Sequence, residues 1–279
     1  MKKIFLLLFI QVFVYGMDQS MKEVIDEYYP QYCQLLEAAY GKSMMSEGGR
    51  EAIDFMFKGL SIKGKKALDI GSGLGGVAYY LANEYNMKVT GLEINPWIVE
   101  EAKQKIPAKL QNNLNFILNN DNNKLPFEDN SFDIIYSKGV LCHVENKQGI
   151  FNECYRVLKP RGTLIINDWL SPKKGKWGSY IQRLVELEGL TLYAETIDGY
   201  LKFFKEGNFN KVEVINLSKQ YALYNEDIVK KLNSAEKKKN FINSFNEQLY
   251  IESIDGYDSI AKAMHSGEGM VIQFSASKK

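Results

Sequence analysis

The sequence has almost no charge imbalance. Its 35 lysines and arginines nearly cancel its 34 aspartates and glutamates, which leaves a formal charge of +1. A chain without a basic excess has no overall field that attracts a polyanion, and its one short basic run, Lys237 to Lys239, is mixed with acids. We therefore expect no nucleic-acid partner.

Cysteine and histidine are also scarce. The three cysteines, Cys33, Cys142 and Cys154, form no CxxC spacing, and the two histidines do not cluster with them. This pattern excludes a disulfide framework and a zinc site. We expect reduced, mostly buried thiols and no bound metal.

Long apolar runs are limited to the first residues. Lys2 and Lys3 precede the apolar stretch Ile4 to Val14, which is shorter than the run of about 20 residues that spans a bilayer. We expect no stable membrane insertion, and the layout predicts a secretory signal peptide at residues 1–16. A later start at Met17 or Met21 is the alternative, so both an exported and a cytoplasmic protein stay open.

The rest of the chain, residues 17–279, is expected to form one domain. With 45% hydrophobic residues it is long enough to bury a substantial core. Apolar strand-like runs alternate with amphipathic helical patterns, which predicts an α/β sheet. The expected strands are Lys66–Ile70, Lys88–Leu92, Leu114–Leu118, Phe132–Tyr136, Gly162–Asn167, Lys211–Ile215 and Met270–Phe274. The expected helices between them are Gly76–Tyr85, Pro96–Ile106, Lys147–Leu158 and Ile197–Glu206.

Two further helical regions flank this pattern. Residues 22–41 carry apolar and aromatic side chains at helical spacing, and Gly48 and Gly49 precede another expected helix at Arg50–Leu60. Together, residues 22–60 predict an N-terminal helical cap over the ligand edge of the sheet. Residues 219–267 are polar but space their apolar residues to bury one face, which predicts a helical insertion before the last strand.

A glycine-rich loop follows the first strand. The segment Ala67–Gly76 reads ALDIGSGLGG, so a buried strand ends at an acid and turns through glycines into a helix whose N–H groups point at a ligand. Glu93 closes the next strand about twenty residues later, where a carboxylate can bind both ribose hydroxyls. NAD enzymes share this spacing, but a GxGxGG loop after an acid and a late antiparallel hairpin favour S-adenosylmethionine. The expected nucleoside contacts are Asp69, Gly71, Ser72, Gly73, Glu93 and Ile94.

Two later strand ends complete the expected cofactor site. Asp121 and Asn122 follow the third strand, where they can bind the adenine amine, although such residues are also common in turns. The fourth strand ends near Ser137, and its carboxyl end should face the transferable methyl group.

Three segments resemble the phosphoethanolamine N-methyltransferase group of class I S-adenosylmethionine methyltransferases. They are Tyr40–Gly49, Leu68–Gly76 and Leu158–Ile166, within a resemblance that runs from Tyr28 to Lys278. The resemblance implies a Rossmann-like sheet of seven strands with an antiparallel last strand, and methyl transfer to an amine.

The same resemblance implies roles for particular residues. Tyr28 and His143 fall at the positions of a tyrosine–histidine pair over the acceptor amine, and Met45 and Ser46 fall against the cofactor. An imidazole can take an amine proton near pH 7, which suits this chemistry. A lone histidine can equally be a hydrogen-bonded core residue.

Three differences from this group bear on the identity of the methyl acceptor. Gly139 stands where the group carries an aspartate against the amine, and Trp169 replaces a tyrosine. We expect both to line the substrate site, where Trp169 can hold a cation on its ring or serve only in packing. The segment Leu184–Leu192, at the group's phosphate-binding position, carries Glu186 and Glu188, which would repel a phosphate.

The sequence therefore predicts an N-methyltransferase of a small amine metabolite. Phosphoethanolamine methylation is the alternative, with phosphate ligands from the insertion such as Lys262 or His265. A non-catalytic homologue that keeps the cofactor is another alternative. The oligomeric state is left open.

Overall fold

The structure is a computed structural model that describes residues 19–119, 121 and 124–279. The predicted signal peptide at residues 1–16 and the predicted adenine contact Asn122 lie outside the described residues.

The centre of the fold is a seven-stranded sheet with the order β3-β2-β1-β4-β5-β7-β6. Its strands are β1 (Lys66–Ile70), β2 (Lys88–Glu93), β3 (Leu114–Leu118), β4 (Phe132–Lys138), β5 (Leu158–Leu170), β6 (Asn210–Asn216) and β7 (Met270–Ser277). The first five run parallel, and β7 lies antiparallel between β5 and β6. The predicted α/β fold with its antiparallel last strand is confirmed. The order in which the strands follow one another reverses between β1 and β4, which opens a ligand crevice at their carboxyl ends.

The strand β5 is longer than predicted. We expected it to begin at Gly162, but it begins at Leu158, directly where the preceding helix ends at Val157. The apolar residues Leu164, Ile165 and Ile166 are at most 1% exposed because β5 pairs with β4 on one side and β7 on the other.

Helices cover both faces of the sheet and one of its ends. They are α1 (Gln19–Glu27), α2 (Pro30–Tyr40), α3 (Gly49–Met56), α4 (Gly76–Tyr85), α5 (Pro96–Gln104), α6 (Lys147–Val157), α7 (Ser179–Glu188), α8 (Ile197–Glu206), α9 (Ser218–Leu232), α10 (Ala235–Ser244) and α11 (Glu247–Ser266). One core cluster joins α3, α4 and α5 to the sheet, and another joins α6 and α8 to its opposite face. No helix among these described residues is long and apolar enough to cross a membrane.

The first part of the N-terminal cap, expected to be helical over residues 22–41, is broken at Pro30. Pro30 begins α2, and Tyr29 before it is extended with φ −75° and ψ 162°. Proline disfavours the helical conformation of the preceding residue and suits the first position of a helix. The break places Tyr28 at the corner between α1 and α2. The Asn95 side chain holds this corner by donating hydrogen bonds to the carbonyls of Ile25 and Tyr28 at 3.3 and 3.1 Å.

The predicted insertion consists of α9, α10 and α11, which pack together and against the cap. Tyr257 on α11 meets Tyr40 on α2 edge to face, with ring centroids 5.7 Å apart. The helix α7, which the sequence pattern did not predict, packs beside α11 and carries the acidic segment to the same end of the sheet. The cap, the insertion and α7 therefore surround the carboxyl ends of the central strands.

Candidate active site

The loop between β1 and α4 has the conformation that its glycines allow. Gly71 and Gly73 adopt φ values of +71° and +51°, in the left-handed region that favours glycine. A Cβ at Gly71 would lie 2.4 Å from a methyl carbon of Val140, and one at Gly73 would lie 2.7 Å from the sulfur of Met45. Met45 comes from the cap, so this loop and the cap are in direct contact.

The Glu93 side chain lies behind this loop at the end of β2. One carboxylate oxygen accepts a hydrogen bond from the Gly73 N–H at 2.9 Å, and the other accepts from the N–H groups of Ile94 and Asn95 at 2.8 and 3.0 Å. The side chain is only 9% exposed, and burial raises its pKa. Glu93 thus joins the two strand ends expected to hold a nucleoside.

Among the acids of this region, Asp69 has the most strongly raised pKa. Burial raises the pKa of its carboxyl to about 8, and the nearby charge of Glu93 adds to the rise. Ser72 Oγ and Asp69 Oδ2 are buried without a hydrogen bond of good geometry within the described part of the chain, and the Tyr136 hydroxyl near Asp69 only partly offsets the rise of its pKa. Both residues line a cavity, so polar groups of a ligand would satisfy them.

This cavity, which we call the donor cavity, has a volume of about 1280 Å³, which includes space open to solvent. Most of the predicted cofactor contacts line it, namely Met45, Ser46, Asp69, Gly71, Ser72, Gly73, Glu93 and Ile94. Two predicted contacts do not. Ser137 is buried and donates to the carbonyl of Ile70 at 3.1 Å, which joins β4 to β1, and Asp121 is exposed and outside the lining. Asn119, two residues earlier than Asp121, lines the cavity instead.

A second cavity, the acceptor cavity, adjoins the first and has a volume of about 510 Å³, which includes space open to solvent. The two cavities share five lining residues, all among those predicted from the sequence, namely Tyr28, Met45, Ser46, Gly139 and His143. Trp169 also lines the acceptor cavity. A group bound in one cavity can therefore meet a group bound in the other at Tyr28 and His143.

Tyr28 and His143 are hydrogen-bonded to each other at this junction. The Tyr28 hydroxyl lies 3.1 Å from His143 Nε2, and His143 Nδ1 lies 3.1 Å from the carbonyl of Thr191. A carbonyl only accepts, so Nδ1 carries the ring proton of the neutral imidazole and Nε2 accepts from Tyr28. The lone pairs of the phenol oxygen are then available to an amine N–H.

The imidazole differs from the expected base that titrates near pH 7. Burial lowers the pKa of His143 to about 4, and the positive charge of Lys147 lowers it further. Burial also raises the pKa of Tyr28 well above its usual value. Both groups are therefore neutral at physiological pH, as a hydrogen-bonded pair that orients an amine requires.

Two charged side chains at this end of the sheet were missed in the sequence. Lys138, the last residue of β4, is 8% exposed and donates to Ser46 Oγ and to the Glu47 carbonyl at 2.8 and 2.9 Å. Burial lowers its pKa to about 8. Glu47, one residue beyond the predicted contact Ser46, lines the acceptor cavity. A lysine closing a buried strand was the available signal for Lys138.

The insertion does not supply the predicted phosphate ligands. Lys262 pairs with Asp258 at 2.5 Å and His265 with Glu226 at 2.7 Å, and both side chains are about half exposed and outside both cavities. Their i,i+4 and interhelical partners hold them on the outer surface of the helices. The two acids of the segment Leu184–Leu192 lie in different environments, since Glu188 lines the acceptor cavity and Glu186 is exposed.

The sequence is similar to those of known methyltransferases. Residues 68–166 match the model of a methyltransferase domain, which covers the glycine loop and the strands around it. The chain is 32% identical over 235 residues to phosphoethanolamine N-methyltransferase of Plasmodium falciparum, covering 83% of this chain and 86% of that protein.

The chain belongs to the phosphoethanolamine N-methyltransferase family.

It is a class I S-adenosylmethionine-dependent methyltransferase. Phosphoethanolamine N-methyltransferase 3 of Arabidopsis thaliana is 28% identical over 237 residues, but the chain spans only 46% of its length. The fold also matches that of phosphoethanolamine N-methyltransferase 2 of Haemonchus contortus, solved in complex with S-adenosyl-L-methionine. Its TM-score is 0.84 at 21% identity, over 94% of this chain and 60% of that one.

The residues of the donor cavity fit the cofactor of this family. A buried carboxylate, Glu93, suits two ribose hydroxyls, and the orphaned oxygens of Asp69 and Ser72 suit the polar groups of an amino-acid moiety. The left-handed glycines give backbone N–H groups close access to the ligand. No group of three or more metal-ligating side chains occurs among the described residues.

Proposed function

We propose that this enzyme N-methylates a small amine, with Tyr28 and His143 as the pair that receives the reacting nitrogen. The observation that supports this proposal is the Tyr28–His143 hydrogen bond at the junction of the donor and acceptor cavities. A neutral pair with outward lone pairs can accept an amine N–H and direct the nitrogen lone pair along the line between the cavities.

S-adenosylmethionine, when bound, supplies a methyl group activated on sulfur, whose carbon–sulfur bond breaks as the acceptor nitrogen forms the new carbon–nitrogen bond. The nitrogen needs a free lone pair for this, so an ammonium substrate must first lose a proton. Tyr28 Oη accepts that proton while its own passes to His143 Nε2, 3.1 Å away. Because the pKa of His143 is low, this transfer is uphill and the protonated imidazole is short-lived, so the proton passes on to solvent.

The cap helps to form both cavities. Met45 contacts the glycine loop, with its sulfur 3.3 Å from the Leu74 nitrogen, and it lines both cavities. Because Asn95 ties Tyr28 to the start of α5, the cap, the pair and the donor cavity form one connected unit. Proximity and orientation then supply most of the rate, since the methyl group arrives activated.

Phosphoethanolamine is the second candidate acceptor, because it appears in the names of the relatives and because Lys138 lies beside the acceptor cavity. A phosphate would need to draw Lys138 away from Ser46 and Glu47 and to approach two acids, Glu47 and Glu188. That electrostatic environment supports an amine without phosphate more strongly.

The experiment is a methyl-transfer assay with labelled S-adenosylmethionine and a panel of ethanolamine, phosphoethanolamine and simple alkyl amines, run beside calorimetry of S-adenosylhomocysteine. We expect about micromolar binding of the nucleoside and labelled product from unphosphorylated amines. A preference for phosphoethanolamine, with competition by inorganic phosphate, would establish the second candidate. Nucleoside binding with no methylated amine of either kind would leave a non-catalytic homologue.

A further inference from the structure

The acceptor cavity contains a buried carboxylate that the methyl-transfer step does not use. Glu47 is only 3% exposed, and its Oε1 atom is buried without a hydrogen-bond partner among the described residues. The residue lies in the cavity wall, in the turn between α2 and α3. An unpartnered buried carboxylate oxygen is costly, so a missing ligand group is the natural explanation for it.

A second carboxylate faces the same space. Glu188, at the end of α7, accepts a hydrogen bond from the Tyr32 hydroxyl and lines the acceptor cavity. Burial raises its pKa to about 7, and the charge of Glu47 contributes to the rise. Two carboxylates that share one buried space repel each other unless a cation lies between them.

The remaining wall of the cavity suits a cation. No lysine or arginine occurs among its described lining residues, while Tyr32, Tyr40 and Trp169 contribute aromatic surface. Lys138 lines the donor cavity and directs its ammonium to Ser46 Oγ and the Glu47 carbonyl, with its nitrogen 5.3 Å from the Tyr221 ring centroid. It therefore leaves Glu47 Oε1 without a partner.

We infer that Glu47 and Glu188 form a subsite for a second positive charge on the acceptor, so that the substrate is a short diamine. One nitrogen lies at Tyr28 and His143 and receives the methyl group, while the other stays protonated between the two carboxylates. This inference rests on the proposed N-methylation. It gives Glu188, in the segment Leu184–Leu192, a function other than phosphate binding, which the negative charge of this residue opposes.

The test compares matched pairs of amines that differ in the second charge, putrescine against butylamine and ethylenediamine against ethanolamine. We expect the KM of each diamine to be about 10- to 100-fold lower than that of its partner, the effect of a charged hydrogen bond. Glu47→Gln and Glu188→Gln should remove most of this ratio. Glu186→Gln, on the exposed side of the same helix, should keep it.

A binding measurement separates this inference from the proposed function. Putrescine is titrated into the enzyme saturated with S-adenosylhomocysteine, and each variant is first checked for unchanged melting temperature and nucleoside binding. Binding that depends on Glu47 and Glu188 supports the subsite even if no amine is methylated, in which case only the proposed function fails. Butylamine used as well as putrescine, or no putrescine binding, overturns the subsite and leaves amine methylation standing.

Discussion

The Tyr28 hydroxyl and the His143 imidazole meet at 3.1 Å, although 115 residues separate them in the chain. The break before Pro30 places one partner and the end of β4 places the other, so the pair depends on the contact between the cap and the sheet. Removing either partner should therefore affect the acceptor step more than the binding of the methyl donor.

Tyr28→Phe removes the hydroxyl and keeps the ring packing. We expect kcat to fall about 100-fold or more, within the range for a lost proton-transfer group, while binding of S-adenosylhomocysteine changes less than about threefold. Tyr29→Phe is the matched control, because Tyr29 is adjacent in sequence and 49% exposed. Steady-state kinetics with the best amine of the panel, together with calorimetry, measures both quantities. Equal kcat values for the two variants would contradict the assigned role.

The glycine loop and Glu93 could be predicted from the sequence because their chemistry is local. A buried strand, a turn through left-handed glycines and an acid at the next strand end all lie within one βαβ unit. Lys138 and Glu47 could not be placed in this way. Their partners come from different elements, and only the packing of the cap on β4 brings them together.

The pair Asp121 and Asn119 shows the limit of positional reasoning. The strand end was correctly located, but a shift of two residues decides which side chain lines the cavity. The break at Pro30 was not predicted, although the sequence contains a signal for it, since proline disfavours the helical conformation of the residue before it. Helix α7 lacked a comparable signal, and only the structure separates Glu188 from Glu186.

Glu93→Ala should weaken nucleoside binding strongly. The carboxylate is expected to bind the ribose and also accepts the N–H of Gly73, so its loss removes ligand contacts and loosens the loop. We expect the Kd of S-adenosylhomocysteine to rise about 100-fold, the effect of losing one or two charged hydrogen bonds. Calorimetry measures this, with the exposed Glu100→Ala as control. Unchanged affinity would contradict the placement of the ribose at Glu93.

Two glycines with similar backbone angles should respond differently to alanine. Gly71 and Gly139 adopt φ values of +71° and +68°, so each alanine pays a backbone cost of about 1 kcal/mol. A Cβ at Gly71 would also collide with Val140 at 2.4 Å, whereas a Cβ at Gly139 meets nothing within 4 Å.

We therefore expect Gly71→Ala to lower the free energy of unfolding by about 2 to 3 kcal/mol, and to weaken nucleoside binding at least about tenfold. Gly139→Ala should cost only the backbone contribution. Urea unfolding and calorimetry of both variants provide the comparison. A Gly139→Ala variant as unstable as Gly71→Ala would contradict the open space at this junction.

Asp69→Asn should stabilise the ligand-free enzyme, with a gain that depends on pH. The carboxyl pKa is about 8 in the folded protein against 3.8 for an ordinary aspartate. The folded state therefore binds this proton more tightly, and the wild type loses stability as the pH rises from about 4 to about 8. Asparagine has no such loss, so its advantage should be small near pH 4 and reach on the order of 5 °C in Tm near pH 8.

Asp133→Asn is the control of opposite sign. Its partner Lys159, at 2.9 Å, holds the pKa of Asp133 below its usual value, so ionised Asp133 stabilises the fold above about pH 4. Because this ion pair is partly exposed, the asparagine variant should lower the free energy of unfolding by less than about 1 kcal/mol in that range. Thermal unfolding across this pH range, without nucleoside, measures both variants. If the difference in Tm between Asp69→Asn and the wild type stayed constant with pH, the buried carboxyl would not have the raised pKa that its burial predicts.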